Sequence, residues 1–210
     1  MAADPWPVIH AERIALAEDL AGVDPDRWDT PSLCSPWTVK QVLAHLTETA
    51  TMTPPRFLAR MAAARFSFDT MSQRAVAARS VLPPRQLLAD FRAHAQDTTS
   101  PPGPVDSWLG ETLVHGEDIR RPLGIAHAYP VPALVRVANF YRKSNLLIGG
   151  KKRVAGVRLV GTDAEWSAGN GPEVAGPMLS LVIAMTGCRA ALSDLTGAGV
   201  PALAERMPAP

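Results

Sequence analysis

Through the first three quarters of the chain, apolar side chains recur at spacings of three and four, broken by short proline- and glycine-rich stretches; this is the rhythm of helices separated by loops. Ile9, Leu16 and Leu20 make a stripe from Pro7 to about Leu20, and Glu12, Arg13, Glu18 and Asp19 are expected to keep its other side wet. A loop from Val23 to Ser35 follows, in which Trp28 is the expected apolar anchor. Ser35 then reads as an N-cap and Pro36 as the first residue of a second helix, whose stripe Val39, Val42, Leu43 and Leu46 runs to about Ala50. Pro54 and Pro55 open a third helix carrying Phe57, Leu58, Met61 and Phe66 and running towards Gln73 to Arg79. Another follows Pro83 and Pro84, with Leu87, Leu88, Phe91 and Ala95. The segment from Val105 to about Arg121 predicts a helix closed by Pro122 and Gly124, and Pro132 to about Ile148 predicts one more, carrying Leu134, Val135, Ala138, Tyr141 and Leu146.

After the basic triplet Lys151 to Arg153 the pattern changes. GVRLVGTD reads as a strand through Val157 and Leu159, and Glu165 to Ala168 as a second before the turn Gly169, Asn170, Gly171. Pro177 starts an apolar helix through Leu181 and Met185, and a short helix is expected near Val200 to Arg206. The chain is therefore expected to be mainly α, a helical bundle over residues 1–150 with a small α/β domain over 151–210.

At 210 residues, with 47% hydrophobic and 20% charged side chains, the chain can bury a core and does not have the composition of a disordered or fibrous protein. A formal charge of +1 supplies no field for nucleic acid or anionic lipid. The start, MAADPWPVIH, lacks a leader pattern, and the longest apolar run, Met178 to Met185, is too short to span a bilayer, so a cytoplasmic protein is expected. Cys34 and Cys188 stand far apart with no C-x-x-C pair, which points away from a disulfide framework and from a thiolate metal site. Cys34, in the loop before the second helix, reads as a structural or incidental cysteine rather than a nucleophile, and Cys188 as core. Any metal must then be held by His and carboxylate.

Of five histidines, His10, His94 and His127 fall in polar or loop contexts and are expected at the surface. Glu111 and His115, four apart, share a helix face with Asp118. A carboxylate and an imidazole one turn apart can ligate a divalent ion from one rod, but such a pair more often makes a surface contact, and a third ligand must come from another helix. His45 borders the apolar stripe of the second helix.

The run WDTPSLCSPWTVKQVLAHL, Trp28 to Leu46, resembles the opening signature of the mycothiol-dependent maleylpyruvate isomerase family, a branch of the DinB-like metal-binding four-helix bundles. ETLVHGEDIRRPLG, Glu111 to Gly124, is similar to that family's second signature, and LVGTDAEWSAGNGPEVAGP, Leu159 to Pro177, to its small C-terminal domain. The resemblance implies a DinB-like bundle holding one divalent metal, commonly zinc, through His45, Glu111 and His115, with Asp118 either supporting a ligand from behind or lying at the surface. It further implies mycothiol as thiol cosubstrate. A metal-coordinated thiol loses its proton near neutral pH and attacks a small-molecule electrophile, either to allow cis to trans isomerisation or to remain attached as an S-conjugate.

The family also implies an arginine of the C-terminal domain as catalytic anchor for an acidic substrate. Arg189 in TGCRAALSDL is the candidate, although a Cys interrupts the family's usual Gly-Arg, and Arg158 is a second. Two other functions fit the same residues: a metal-dependent hydrolase activating water, and a non-catalytic metal-binding module. A homodimer is a common state for such bundles.

Overall fold

The computed structural model describes residues 4–34, 36–145 and 148–208. They fall into two compact units, Met1–His127 and Ala128–Pro210.

In the first unit the helices are α1 (Trp6–Asp19), α2 (Val39–Ala50), α3 (Pro54–Ala63), α4 (Phe68–Arg79), α5 (Pro84–Ala93) and α6 (Val105–Leu123). α1 packs on α5 and α6, and α2 on α5 and α6, making a four-helix bundle with α4 laid against α2. Its core joins Leu16 and Leu20 of α1, Val39, Val42, Leu43 and Leu46 of α2, Leu87 and Phe91 of α5, and Ile119 and Leu123 of α6. These are the stripes read from the sequence. Trp28 anchors the loop before α2 as expected, 4% exposed and packed in this core. Gly124 ends α6 in the left-handed conformation (φ 68°), where a side chain would strain the backbone.

The start of α2 differs from expectation. Ser35 lies outside the described residues, and the helix is capped by Thr38: its Oγ1 accepts from the Gln41 amide at 3.4 Å, while Gln41 Oε1 accepts from the Thr38 amide at 2.9 Å. This reciprocal box satisfies two amides that a Ser35 cap would have left open. The expected third helix is two. Arg65 and Phe66 take left-handed φ values of 52° and 62°, so the chain turns, and Ser67 caps α4 by accepting from the Thr70 amide at 3.2 Å. No residue of α3 is buried, and Leu58 and Phe66 are mostly exposed.

Two polar positions assigned to the wet side of α1 are in fact buried, Glu12 and Arg13. Both have partners there. Glu12 meets His127 Nε2 at 2.8 Å and Arg120 Nη1 at 3.8 Å, and Arg13 Nη1 donates to the Asp97 carbonyl at 3.2 Å. His127 is accordingly a tethered residue rather than a free surface one, and His94 pairs with Asp97 at 2.7 Å.

The second unit begins earlier than residue 150, because α7 (Val131–Tyr141) packs on the apolar α9 (Met178–Thr186). α7 is also shorter than expected; Leu146, assigned to it from sequence, lies outside the described residues. Between them come α8 (Gly150–Arg153) and a sheet of β1 (Arg158–Gly161), β2 (Ser167–Ala168) and β3 (Glu173–Gly176) in the order β2-β1-β3. β2 runs antiparallel to β1, and β3 parallel to it with Leu159 opposite Val174. β3 escaped the sequence reading because only Val174 in it is a buried large apolar residue and Gly and Pro flank it. A 3₁₀ helix, Arg189–Asp194, and α10 (Val200–Ala204) complete the unit.

No helix among the described residues is long and apolar enough to cross a membrane. Neither cysteine is a free thiol: Cys34 and Cys188 are both disulfide-bonded, which corrects the expectation that their spacing points away from disulfides, while Cys188 is buried as expected.

The capping box makes the α2 start sensitive to one atom. Thr38→Ala should lower unfolding free energy by about 1 kcal/mol in a urea titration, with unchanged helical circular dichroism.

Candidate metal centre

The packing of α2 on α6 decides which side chains face one another. On α2, His45 and Thr49 are one turn apart on one face; on α6, Glu111 and His115 are one turn apart on the face opposite. His45 Nε2 lies 2.7 Å from Glu111 Oε1, and the His45 and His115 rings meet edge to face with centroids 5.0 Å apart. One ligand atom from each of His45, Glu111 and His115 lies within 4.8 Å of the other two. The three residues singled out from the sequence are thus brought together.

Each is held from behind. His115 Nδ1 is 2.8 Å from Asp118 Oδ2, and Asp118 is 2% exposed, so its reading as a plain surface charge is wrong. With Nδ1 engaged there, Nε2 is the nitrogen that His115 has left to offer. Ser72 Oγ of α4 lies 3.5 Å from His45 Nδ1, and Trp37 stacks obliquely on the His45 ring at 5.0 Å. Thr49 Oγ1 donates to Glu111 Oε1 at 2.8 Å. Burial alone would push the Glu111 carboxyl up. The charge and hydrogen bond of His45, the charge of His115 and the Thr49 bond outweigh it and hold the group down at about 2. Burial likewise pulls His115 down, but the hydrogen bond and charge of Asp118, with the charge of Glu111, leave it raised.

This donor set suits a divalent ion. Two imidazole nitrogens and an ionised carboxylate are borderline ligands of the kind zinc takes, and three protein donors leave room for a further one. At 2.7 Å His45 Nε2 and Glu111 Oε1 are within hydrogen-bonding distance of each other.

A small cleft, open to solvent, runs from His45 and Glu111 between α2, α4 and Trp108 of α6. Phe57 and Phe68 form its outer wall. Glu48, also at its edge, is buried under guanidinium groups: Arg60 Nη1 bonds its Oε1, Arg79 Nε donates to Oε2 at 3.3 Å, and Arg56 Nη2 stands at 3.7 Å. This clamp ties α3 and α4 to α2. Thr49, Ser72, Glu48 and Arg13 were not marked by the sequence, since none stands in a motif. Arg13 is 2% exposed, and burial lowers its pKa to about 10 even though Glu111 and Asp97 hold it up.

The two arginines proposed from the C-terminal half are otherwise engaged. Arg189 is exposed and its Nη1 donates to the Ala204 carbonyl at 2.9 Å, while Arg158 Nη1 lies 3.5 Å from Glu173 Oε2.

A family model described as the mycothiol maleylpyruvate isomerase N-terminal domain matches residues 9–120. Among solved structures, a crystal structure of the mycothiol-dependent maleylpyruvate isomerase is similar over 92% of this chain and 91% of its own, with a TM-score of 0.59 and 17% identity. The crystal structure of a histidine-to-alanine mutant of that enzyme is similar to the same degree. At that identity the likeness speaks for the fold. No curated protein matches this chain.

Because Glu48 gathers the guanidinium groups of two helices, Glu48→Gln should cost about 1–3 kcal/mol of stability in a urea titration. It should also speed proteolysis within α3, where no other buried contact competes.

Proposed function

The chain belongs to the mycothiol maleylpyruvate isomerase N-terminal domain family, and from that premise we propose that it is a metal-binding, mycothiol-dependent enzyme of the maleylpyruvate isomerase type, acting on a small electrophile by isomerisation or S-transfer. The observation that carries the proposal is the convergence of His45, Glu111 and His115 on one point from two helices. A divalent ion held there, zinc by the chemistry of its donors, would supply Lewis acidity that keeps a coordinated thiol deprotonated near neutral pH.

The protein's own residues supply position and electrostatics. Glu111 is ionised across the ordinary pH range and brings the negative charge that a divalent ion needs. Asp118 fixes the His115 ring through Nδ1 and turns Nε2 towards Glu111 and His45; an imidazole whose far nitrogen donates to a carboxylate is also a stronger ligand. Ser72 and Trp37 restrain the His45 ring, and Thr49 leaves Glu111 one fixed orientation. The fixed carboxylate and the two oriented rings form a preorganised set whose ordering entropy is met during folding. No protein sulfur takes part, because both cysteines are disulfide-bonded, which fits chemistry that relies on a thiol brought from outside.

The test is elemental analysis of the purified protein and of His45→Ala, then thermal melting of both with and without mycothiol. One equivalent of zinc in the wild type and none in the variant, with mycothiol raising the wild-type melting temperature, is the expected result, since a ligand of the folded state stabilises it. No metal in either sample after zinc is supplied would overturn the reading. Metal with no response to mycothiol would overturn the thiol-dependent part of it.

Asp118→Asn keeps the shape but weakens the hold on His115. It should reduce zinc affinity roughly 10- to 100-fold, read by competition with a chromophoric chelator, while His45→Ala abolishes it.

A further inference from the structure

The cleft beside His45 and Glu111 is too small for the chemistry its residues suit. Its volume of about 40 Å³ is room for a few water molecules, whereas sites that take up small molecules enclose roughly 300–1,000 Å³. One wall has to move before an electrophile and a thiol can stand there, and the walls are not held alike. Met52 and Trp108 are buried beside the core helices, and α4 is anchored by buried Met71 and Val76 and by Ser72 Oγ, 3.5 Å from His45 Nδ1. α3 contributes Phe57 to the wall and buries no residue of its own. A helix with so little buried apolar surface belongs to the least stable part of a fold.

What holds α3 down is charge. Arg60 Nη1 bonds Glu48 Oε1, and Arg56 Nη2 stands 3.7 Å from the same oxygen. Both arginines are partly exposed, so solvent and salt screen their attraction. Lifting α3 does not strand the Glu48 carboxylate: Arg79, on α4, keeps its Nε 3.3 Å from Oε2, and water can reach Oε1. The ends of α3 are suited to movement as well. Thr53 before it and Arg65 with Phe66 after it are exposed, and such element-terminal residues absorb the change in φ and ψ when a helix swings. Arg74 Nη1 donates to the Ala63 carbonyl at 3.0 Å and pins the C-terminal end to α4, which leaves the end carrying Arg56 and Phe57 as the one that lifts.

We propose that α3 is a lid over the cleft, latched by Arg56 and Arg60 on Glu48 with Phe57 as its closing side chain, and that it lifts to admit a small molecule to His45 and Glu111. That a reacting compound needs this access rests on the metal-and-thiol reading above. The latch does not, because none of the three candidate ligands takes part in it.

The experiment uses the whole chain, freed of metal by a chelator, and the double variant Arg56→Ala/Arg60→Ala, which removes the latch from the lid side and leaves Glu48 with Arg79. Diethyl pyrocarbonate, which carbethoxylates an accessible neutral imidazole, is applied at low and at high sodium chloride. Modification of His45 is followed by peptide mass spectrometry against N-acetylhistidine in the same tube, and hydrogen exchange of α3 and α6 is read on parallel samples. In the wild type, the relative rate at His45 should rise about 3-fold or more with salt, as screening weakens the latch. In the double variant it should exceed the wild-type rate at low salt by about 5-fold or more and no longer respond to salt, with α3 exchanging faster and α6 protection unchanged. Equal His45 rates in the two proteins, or α3 exchange indifferent to the loss of both arginines, would overturn the lid; so would a fall in α6 protection, which would mean that the whole bundle had loosened. No step of this test involves zinc. Should the protein fail to bind zinc while His45 responds to the latch, the metal reading falls and the lid stands; zinc bound with His45 indifferent to the latch separates the two in the opposite sense.

Discussion

The contact on which the site depends is the packing of α2 against α6. Val42, Leu43 and Leu46 on one helix and Ile119 and Leu123 on the other belong to one buried core, and that core fixes both the separation and the rotation of the two rods. Once it is fixed, the i and i+4 geometry of each helix leaves His45 with Thr49 facing Glu111 with His115. None of the three candidate ligands sits on a loop. Their positions are consequences of hydrophobic packing, which protein interiors hold to within a fraction of an ångström because they are close-packed.

A site of this kind requires polar groups inside a bundle, and the surrounding bonds show how this is tolerated. Asp118, Thr49 and Ser72 each engage one of the three candidate ligands, so few of their donors or acceptors are left to meet apolar neighbours. The same logic recurs at the far end of α1, where Glu12, Asp19, Arg120 and His127 form a linked set with Arg120 1% exposed. Burying any one of these charges alone would be costly; as a set they compensate one another, so the network specifies how α1 and α6 dock more than it adds stability.

Helical periodicity made most of the first unit legible. Apolar stripes at Val39 to Leu46 and Leu87 to Phe91 correspond to buried helix faces, and the candidate ligands were legible because two of them stand four apart in a signature. What was not legible has physical causes. Glu12 and Arg13 look like solvent-facing charges until their partners, 115 and 84 residues away, are known. The break between α3 and α4 rests on two non-glycine residues in left-handed conformation, which no propensity indicates. β3 is held by pairing with β1 and carries little pattern of its own.

Placement of the cleft also separates a rigid side from one that is free to vary. Residues that converge beside α2 and α6 are locked by the bundle core, so changing them disturbs both site and fold. The opposite wall comes from Phe57 and Phe68, on helices that the core scarcely uses: α3 buries no residue, and the guanidinium clamp on Glu48 ties it and α4 to α2. An ionic clamp at a partly exposed edge constrains side-chain identity on the neighbouring positions far less than close packing does. The outer wall can therefore vary in shape and polarity while His45, Glu111 and His115 stay in place.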